Sequence, residues 1–394
     1  MKILYDHQIF YRQNYGGVSR YFCELMSRLS RDPSMELSIG LRYSQNENLR
    51  QFHQLDKYWS NRSDFFSRTQ LFSFIRKTTH RDILSFLLNN KILPIGQQES
   101  VKLLKRQNFD IFHPTYYDPY FLKYLEKKPF VLTIYDMIHE VYPAYFSPQD
   151  PTTIRKKQLI EKADGIIAIS ESTKKDIIKF FDIDPNKINV IYLGNPFENM
   201  MDQTQDKNSS NFSFSGKSFI LFVGNRSSYK NFTFLIEGVA TLLQKKSDLY
   251  VYCAGGGPFT PQESQVLKNL QILDKVLYIQ PDDITMKNLY KNALAFIFPS
   301  LYEGFGLPVL EAFSSGCPVI LSNTSSLPEI GGDAALYFDP YDSASLTDAL
   351  KKIISDNTLR MQLILKGYER SKLFSWEKTA NATKNVYKHA INLK

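Results

Sequence analysis

Long apolar runs are absent from this sequence of 394 residues. A helix that crosses a bilayer needs about 20 predominantly apolar residues, and no stretch of even about 18 is present. Residues 1–5, MKILY, lead directly into a strand predicted over residues 2–10, without the apolar segment of a secretory signal. We therefore expect a cytoplasmic protein that is not exported by that route.

Cysteine is scarce, since the chain holds only Cys23, Cys253 and Cys317. The odd number and the uneven spacing exclude a disulfide framework and the paired spacing of a zinc knuckle. Each cysteine is predicted to be a small buried apolar residue in a protein of the reducing cytosol.

Two common motifs for nucleotides and metals are missing as well. No G-x-G-x-x-G follows the first predicted strand, which excludes the dinucleotide-binding fingerprint at that position. No Asp-x-Asp element that could hold a metal follows a predicted strand, and we predict no cofactor. Internal repeats and low-complexity tracts are also absent.

Apolar residues, in contrast, are plentiful at 43% of the chain. Single cores rarely grow beyond about 250–300 residues, so this length predicts two domains. Short apolar strands alternate with helical patterns, which predicts an α/β fold. We place the first domain at 1–196, a polar linker without periodicity at 197–217, and the second domain at 218–375, followed by a C-terminal helix over 376–394.

Positive charge is concentrated in one part of the chain. The net charge is +8, and residues 40–108 hold 12 Lys and Arg against 5 Asp and Glu. Within 45–105, basic residues are interleaved with aromatic ones; they include Phe52, Tyr58, Trp59, Arg62, Phe65, Phe66, Arg68, Phe72, Phe74, Arg76, Lys77, Arg81 and Phe86. This composition is typical of segments that lie on anionic membranes. An ordinary helical layer with a solvated basic face is the alternative, and single-stranded nucleic-acid binding is the least favoured interpretation.

In the first half, candidate residues follow predicted strands, where open α/β sheets place their ligands. Gly16 and Gly17 precede a helix predicted over 18–29, although such a pair by itself indicates only a tight turn. His113 ends one strand, and Asp136 and His139 follow the strand at 130–134. A lone histidine is more often a structural hydrogen-bonding group than a catalytic one, so geometry must decide.

In the second half, Arg226 and Lys230 lie between the strand at 219–223 and a helix that begins at 232. Two cations beside a helix N-terminus suit a diphosphate, although exposed surface cations are the alternative. Gly255, after the strand at 249–253, allows close backbone approach to a flat ligand. Asp282 follows the strand at 276–279.

The segment 298–320, FPSLYEGFGLPVLEAFSSGCPVI, organises the second half. A buried strand is followed by a loop with Gly304 and Gly306, and then by a helix with Pro308 in its first turn. This arrangement presents backbone N–H groups and a positive dipole end to an anion. Glu303 and Glu311 bracket the turn, and ionised carboxylates accept hydrogen bonds from vicinal hydroxyl groups. The pair suits a nucleotide-sugar; alternatively, Glu303 is a solvated loop residue and Glu311 complements the dipole.

This segment resembles the signature of retaining GT-B glycosyltransferases of family 4, with two glutamates eight positions apart, GFGLP between them and EA at the second. The continuation PVILSNTSSLPEIGGDAALYFDP and the element VGNRSSYKNF resemble the same family. The resemblance implies two Rossmann-like domains facing each other across a cleft, with the C-terminal helix crossing back onto the first domain. It covers most of residues 1–390, and it is weakest over 45–105.

The family also implies roles for residues at matching positions. The catalytic candidates on this basis are Glu303, Arg226 and Lys230, and His113 and Asp136 are added from their positions after predicted strands. The implied donor contacts are Gly16, Gly17, Gly255, Asp282, Gly304, Phe305, Gly306, Leu307 and Glu311, with Arg20 as a further candidate. Family members often carry a His-Asp pair where this chain has Tyr135-Asp136, so either Tyr135 or His139 takes over the contact with the donor sugar, or the contact is absent.

The implied function is transfer of a hexose, such as mannose or glucose, from a UDP- or GDP-linked donor to a glycan or lipid-linked acceptor. Retention at the anomeric carbon, independence of metal and a role in bacterial surface-polysaccharide synthesis follow from the same resemblance. The partners expected are the donor, the acceptor and an anionic membrane surface, and no nucleic acid. Two alternatives are a different enzyme on the same fold, such as an epimerase or a phosphorylase, and a catalytically silent module that binds nucleotide-sugars.

Overall fold

The computed structural model describes residues 1–58, 96–198, 218–226 and 228–393. The basic and aromatic residues from Trp59 to Phe86 therefore lie outside the described residues, as do positions 199–217 of the predicted linker. The described chain folds into two Rossmann-like domains, each built on a parallel sheet with helices packed against it. The predicted α/β class is confirmed.

The strands are short and mostly buried. In chain order they are β1 (Lys2–Tyr5), β2 (Glu36–Ile39), β3 (Ile111–His113), β4 (Val131–Ile134), β5 (Gly165–Ala168), β6 (Ile188–Val190), β7 (Ser218–Val223), β8 (Leu249–Ala254), β9 (Val276–Ile279), β10 (Ala295–Phe298), β11 (Val319–Ser322) and β12 (Ala335–Phe338). Strands covered by helices on both faces contain continuous apolar runs rather than alternating ones, as in Phe-Ile-Leu-Phe of β7.

Helices connect the strands and cover the sheets. Their bounds are Gln8–Arg12, Gly17–Leu29, Glu47–Gln51, Ile138–Val141, Thr152–Lys162, Glu171–Phe180, Phe232–Lys245, Pro261–Asn269, Asp283–Asn292, Leu307–Ser314, Leu327–Gly331, Ser343–Ser355, Asn357–Ser371 and Trp376–Asn392. Residues 96–105 are also helical. Among the described residues, no helix is both long and apolar enough to cross a bilayer.

The first sheet is parallel throughout its described strands. One part has the order β2-β1-β3 and the other has the order β4-β5-β6. A parallel bridge between Phe112 and Phe130 joins the two parts at β3 and β4. The carboxyl ends of β1, β3 and β4 therefore point toward the same edge of the domain.

The second sheet has the order β12-β11-β10-β7-β8-β9, and all its pairings are parallel. The chain begins at β7, moves outward through β8 to β9, and then returns to the other side of β7 for β10. The direction of winding therefore reverses between β7 and β10.

The first strand is shorter than the sequence predicts. The pattern over residues 2–10 suggests one strand, yet β1 ends at Tyr5 and the chain turns into the helix Gln8–Arg12. Asp6 causes the break because its buried carboxylate accepts hydrogen bonds from the Thr115 N–H at 2.9 Å and the Thr115 hydroxyl at 2.7 Å. Residues 8–10 are buried by helix packing instead.

The C-terminal helix Trp376–Asn392 packs on the first domain. The Tyr387 hydroxyl lies 3.0 Å from the Tyr5 hydroxyl and 2.6 Å from His113 Nδ1, and all three side chains are buried. Gly165 in β5 lies against Val386, where a methyl group on the glycine would come within 3.1 Å of the valine side chain. The helix therefore links the end of the chain to the core of the first sheet.

Candidate functional site

The carboxyl ends of β7 and β10 define the switch point of the second sheet. Ligands of open α/β sheets bind in the crevice at such a point, because the loops that follow the two strands diverge there. These loops are 224–231 and 299–306 in this chain. They are tied together where the Leu301 N–H donates to the Tyr229 carbonyl oxygen at 2.8 Å.

An ion pair between Lys230 and Glu303 lies at this crevice. Lys230 Nζ is 2.6 Å from Glu303 Oε1, with 15% and 13% of the two side chains exposed. The Glu303 backbone is fixed on both sides, since its N–H donates to Ser325 Oγ at 2.9 Å and its carbonyl accepts from Ser326 Oγ at 2.8 Å. A cation and a carboxylate are therefore held together where each can exchange its partner for a polar ligand.

The loop after Glu303 touches the first domain through Gly304. A side chain on Gly304 is excluded, because its Cβ would lie only 1.7 Å from the Tyr135 carbonyl oxygen. The Gly304 carbonyl accepts a hydrogen bond from Ser170 Oγ at 2.8 Å. Phe305 is buried, and Gly306 then begins the helix Leu307–Ser314. The positive end of that helix dipole faces the crevice.

A second helix begins directly opposite. Gly16 and Gly17 start the helix Gly17–Leu29, and a methyl group on Gly17 would lie 3.4 Å from Leu307 Cδ1. Two helix N-termini, each equivalent to roughly half a positive charge, therefore face each other between the domains. The predicted residues Gly16, Gly17, Gly306 and Leu307 are brought together, and the arrangement is suited to an anion.

Glu311 and Arg20 lie beside this pair of helices. Glu311 Oε2 accepts a hydrogen bond from the Tyr290 hydroxyl at 3.0 Å. Burial raises the pKa of the Glu311 carboxyl, and the positive charge of Arg20 opposes that rise. Arg20 donates to the Pro196 carbonyl at 2.8 Å and lies 3.9 Å from the Asp283 carboxylate. Arg20 thus connects the first domain to two carboxylates of the second.

Arg226 does not have the geometry predicted for it. Its guanidinium donates to Glu263 Oε1 at 2.9 Å and to the carbonyls of Gly255 at 3.0 Å, Gly257 at 2.7 Å and Pro258 at 3.0 Å. Only 2% of the Arg226 side chain is exposed. Because its donors are used within the chain, Arg226 does not form the predicted clamp of two cations with Lys230.

His113 is also placed differently from the prediction. It is fully buried, with Nδ1 2.6 Å from the Tyr387 hydroxyl and Nε2 2.9 Å from Thr133 Oγ1. Burial lowers the pKa of His113 to about 3, so the ring is neutral at physiological pH. His113 is a core residue beneath the C-terminal helix. Tyr135 is buried too, and its hydroxyl donates to the Thr115 carbonyl at 3.3 Å.

Asp136 lies at the edge of the first domain, next to Gly304, with 36% of its side chain exposed. Its loop is held by Lys156, a fully buried lysine whose Nζ donates to the Asp136 carbonyl at 2.9 Å and to Glu140 Oε2 at 3.0 Å. His139 stacks on Phe146 with ring centroids 3.8 Å apart. Asp136 therefore borders the Gly304 loop, as the backbone of Tyr135 does.

Gly255 and Asp282 have local roles in the structure. Gly255 has a φ of +87° and its carbonyl receives Arg226. The Asp282 carboxylate caps the helix Asp283–Asn292 by accepting the Thr285 N–H at 2.8 Å, and hydrogen bonds from the Thr285 side chain and N–H lower the pKa of Asp282. Asp283, which the sequence did not single out, contacts the first domain by accepting from the Tyr15 hydroxyl at 3.3 Å.

Comparisons with known proteins assign the chain to a family. The model of the glycosyl transferases group 1 matches residues 203–370, and that of glycosyltransferase family 4 matches residues 42–196. The chain therefore belongs to the family 4 glycosyltransferases.

The family 4 glycosyltransferase is similar to curated proteins over most of its length. The O-antigen chain mannosyltransferase B of Escherichia coli is 27% identical, over 94% of this chain and 96% of the relative. The O-antigen chain mannosyltransferase RfbU of Salmonella typhimurium is 29% identical, over 56% of this chain and 60% of the relative. The fold is also that of Anabaena HepE, solved in complex with UDP and glucose, at a TM-score of 0.69 with 15% identity and 98% of each chain covered.

Two further residues of this family 4 glycosyltransferase, Lys156 and Tyr302, hold the loops around the site. Lys156 lies within a polar helix, TTIRKKQLIEK, three and four positions before the buried Leu159 and Ile160, and that spacing is the signal that places it on the inner face. The Tyr302 hydroxyl donates to the Asp176 carboxylate at 2.7 Å and accepts the Met137 N–H at 3.1 Å. These two bonds link the loop 299–306 to the first domain. The two Tyr302 contacts join residues 126 and 165 positions apart, so local pattern gives no signal for them.

Proposed function

We propose that this protein transfers a hexose, mannose in the first instance, from a nucleotide-sugar to a glycan or lipid-linked acceptor. The observation that carries the proposal is the Lys230–Glu303 ion pair, set at the switch point beside the N-termini of two facing helices. Such a site offers positive charge to a diphosphate and a carboxylate to the hydroxyl groups of a sugar. We propose that Glu311 accepts hydrogen bonds from the ribose.

The names of the relatives support the choice of sugar and pathway. Two of them are O-antigen chain mannosyltransferases, and the E. coli protein aligns over nearly the whole chain. HepE, which shares the fold, was determined with UDP and glucose. We therefore infer a role in the synthesis of a bacterial surface polysaccharide, with a GDP- or UDP-linked hexose as donor.

The chemistry proposed is departure of a nucleoside diphosphate. The bond between the anomeric carbon and the phosphate oxygen breaks, its electron pair leaves with the diphosphate, and the acceptor oxygen bonds to that carbon. The acceptor proton passes to the leaving phosphate oxygen on the same face, so the anomeric configuration is retained. Lys230 and the helix N-termini stabilise the charge that develops on the phosphate, and we propose that the reaction needs no metal.

We further propose that the protein works at the inner face of the cell membrane. The basic and aromatic segment 45–105, of which residues 59–95 lie outside the described part, is the segment expected to meet anionic lipid. Within the described part, Lys105 and Lys123 both lie over the ring of Tyr124, at 5.6 and 4.9 Å from its centroid. Basic side chains close to aromatic rings suit the headgroup region.

The test is a panel of GDP-, UDP- and ADP-sugars, measured for binding and for release of nucleoside diphosphate. We expect Lys230→Ala to lower the turnover of the preferred donor by about 100- to 1000-fold, because one preorganised charge is lost at the leaving phosphate. Lys351→Ala is the matched control, since Lys351 forms an exposed ion pair with Asp348. That control should remain within about twofold of the wild type.

Each part of the proposal can fail separately. If no nucleotide-sugar binds, the donor site is wrong; if a donor binds but is never turned over, the protein is a silent binding module. Conversion of the free donor sugar to its epimer would favour the epimerase alternative. The anomeric configuration of the product, read by NMR, tests retention, and turnover in excess EDTA tests independence of metal.

A further inference from the structure

We propose that Arg226 is a positioning residue that shapes the nucleotide-base pocket by organising the loop 255–258, and does not bind the diphosphate. The inference rests on the proposed function. It deepens that function by naming the residue on which discrimination between nucleotide bases depends.

The loop in question follows β8 and has an unusual backbone. Gly255, Gly256 and Gly257 all have positive φ, at +87°, +74° and +78°. Three successive residues with positive φ are rarely held in one conformation without hydrogen bonds from other residues, because glycine loses much conformational entropy when it is ordered. The run also exposes backbone without side chains, which permits a flat ring to approach closely.

The Arg226 side chain holds this loop through hydrogen bonds. Its guanidinium binds the carbonyls of Gly255, Gly257 and Pro258 at 2.7–3.0 Å and pairs with Glu263 at 2.9 Å. A charged planar donor with a fixed fork can gather several carbonyls only in one loop conformation. One side chain from the neighbouring strand connection therefore holds three carbonyl groups of this loop.

The surroundings of Arg226 match this role. The guanidinium lies 4.8 Å from the centroid of the Phe259 ring and 5.8 Å from that of Tyr278, so aromatic rings enclose it. Glu263 in turn holds the helix Pro261–Asn269 by forming a capping box with Thr260. The Arg226 side chain is therefore part of the protein interior, whereas Gly256 is exposed to solvent.

The position of the loop indicates which part of the ligand it meets. Loop 255–258 follows β8, the strand next to β7, at the same edge of the sheet as Lys230 and Glu303. In the proposed function, the diphosphate of the nucleotide lies at the switch point and the ribose reaches Glu311. The base of that nucleotide is then expected to contact the loops at this edge of the sheet. A change in the loop should therefore alter recognition of the base and leave recognition of the diphosphate intact.

The experiment compares Arg226→Lys with Lys230→Ala, using GDP, UDP, ADP and inorganic pyrophosphate as ligands and calorimetric dissociation constants as the readout. For Arg226→Lys we expect the preference for the best nucleotide over the others to fall about tenfold, with pyrophosphate affinity unchanged. Lys230→Ala should do the opposite, lowering pyrophosphate affinity and keeping the base preference.

Glu263→Gln is a second variant that protects the test against misfolding. Gln retains the capping box but removes the charge that holds Arg226, so a smaller loss of base preference is expected. Melting curves without ligand show whether each variant is folded. If Arg226→Lys does not fold, the base preference of Glu263→Gln tests the inference.

Three results would overturn the inference. Equal weakening of pyrophosphate and every nucleotide in Arg226→Lys would make Arg226 a diphosphate ligand after all. An unchanged base preference in both Arg226→Lys and Glu263→Gln would show that the loop does not read the base. If the wild-type protein binds none of the nucleotides, the proposed function fails and the inference falls with it.

Discussion

At the scale of single residues, the direction in which a charged side chain points decides its role. Lys230 and Arg226 are only four positions apart in one loop, yet Lys230 reaches the crevice and Arg226 turns beneath the glycine loop. The partners of Arg226 explain the difference, since Glu263 and the loop carbonyls satisfy its charge inside the protein. Lys230 instead shares its charge with Glu303, a partner that a ligand can displace.

Glu311 gives a prediction about pH at the same scale. Burial raises its pKa, and the ionised carboxylate is the form that accepts hydrogen bonds from a diol. Nucleotide affinity should therefore weaken as the pH falls through this raised pKa, by up to about tenfold per pH unit. The measurement is the dissociation constant of the preferred nucleoside diphosphate between pH 4.5 and 8.

The matched variant for that prediction is Glu311→Gln, which cannot ionise. Titration of the ligand phosphate affects both proteins equally, so the difference between the two pH profiles isolates Glu311. Profiles that run parallel over the whole range would contradict the assignment of Glu311 to the ribose.

At the scale of elements, the C-terminal helix is held to the first sheet by a buried polar network. Tyr387 links Tyr5 to His113, and His113 continues to Thr133, so each hydroxyl and ring nitrogen has a partner. Such networks contribute when they are complete and are costly when one member is removed. The helix therefore depends on specific hydrogen bonds as well as on apolar burial.

Tyr387→Phe tests this network. The variant removes the Tyr387 hydroxyl, so His113 Nδ1 and the Tyr5 hydroxyl each lose that hydrogen-bond partner. We expect the free energy of unfolding, measured in urea, to fall by about 1–3 kcal/mol. Tyr145→Phe, at a half-exposed tyrosine, is the control and should change the free energy by less than about 0.5 kcal/mol. Equal values for the two variants would contradict a role for the network.

At the scale of the whole molecule, the two domains are joined by contacts that adjoin the site. The Glu329 carboxylate of the second domain accepts the N–H groups of Glu171 and Ser172, at 2.7 and 3.0 Å, and so caps a helix of the first domain. Ser170 in the same turn donates to Gly304, in the loop that carries Glu303. Closure of the domains is therefore linked to the conformation of the loop that carries Glu303.

We predict that Glu329→Ala weakens closure. Removing the carboxylate leaves two N–H groups of the helix Glu171–Phe180 without their cap, at a cost of about 1–2 kcal/mol to the closed arrangement. The radius of gyration from small-angle X-ray scattering should rise, and the donor KM should increase up to about tenfold. Glu369→Ala, at an exposed Lys372 pair, is the control; a radius that changes equally in both variants would contradict the role of Glu329.

Local pattern was enough to predict much of this protein. The alternation of apolar strands with helices gave the α/β class, and the glycine loop between Glu303 and Glu311 gave the position of the turn, because both depend on residues close together in the chain. The single strand predicted for 2–10 failed because Asp6 finds its partner at Thr115, more than 100 positions away.

Only the tertiary structure could separate the residues that face the crevice from those that do not. His113 and Arg226 occupy loops and strand ends where sequence reasoning expects ligands, yet His113 is covered by Tyr387 from the far end of the chain and Arg226 is drawn inward by Glu263. The sequence by itself determined which segments form strands, turns and helix starts, since those follow from short-range conformational preference. The tertiary structure decided which polar groups are left for a ligand, because that depends on partners that long-range packing brings together.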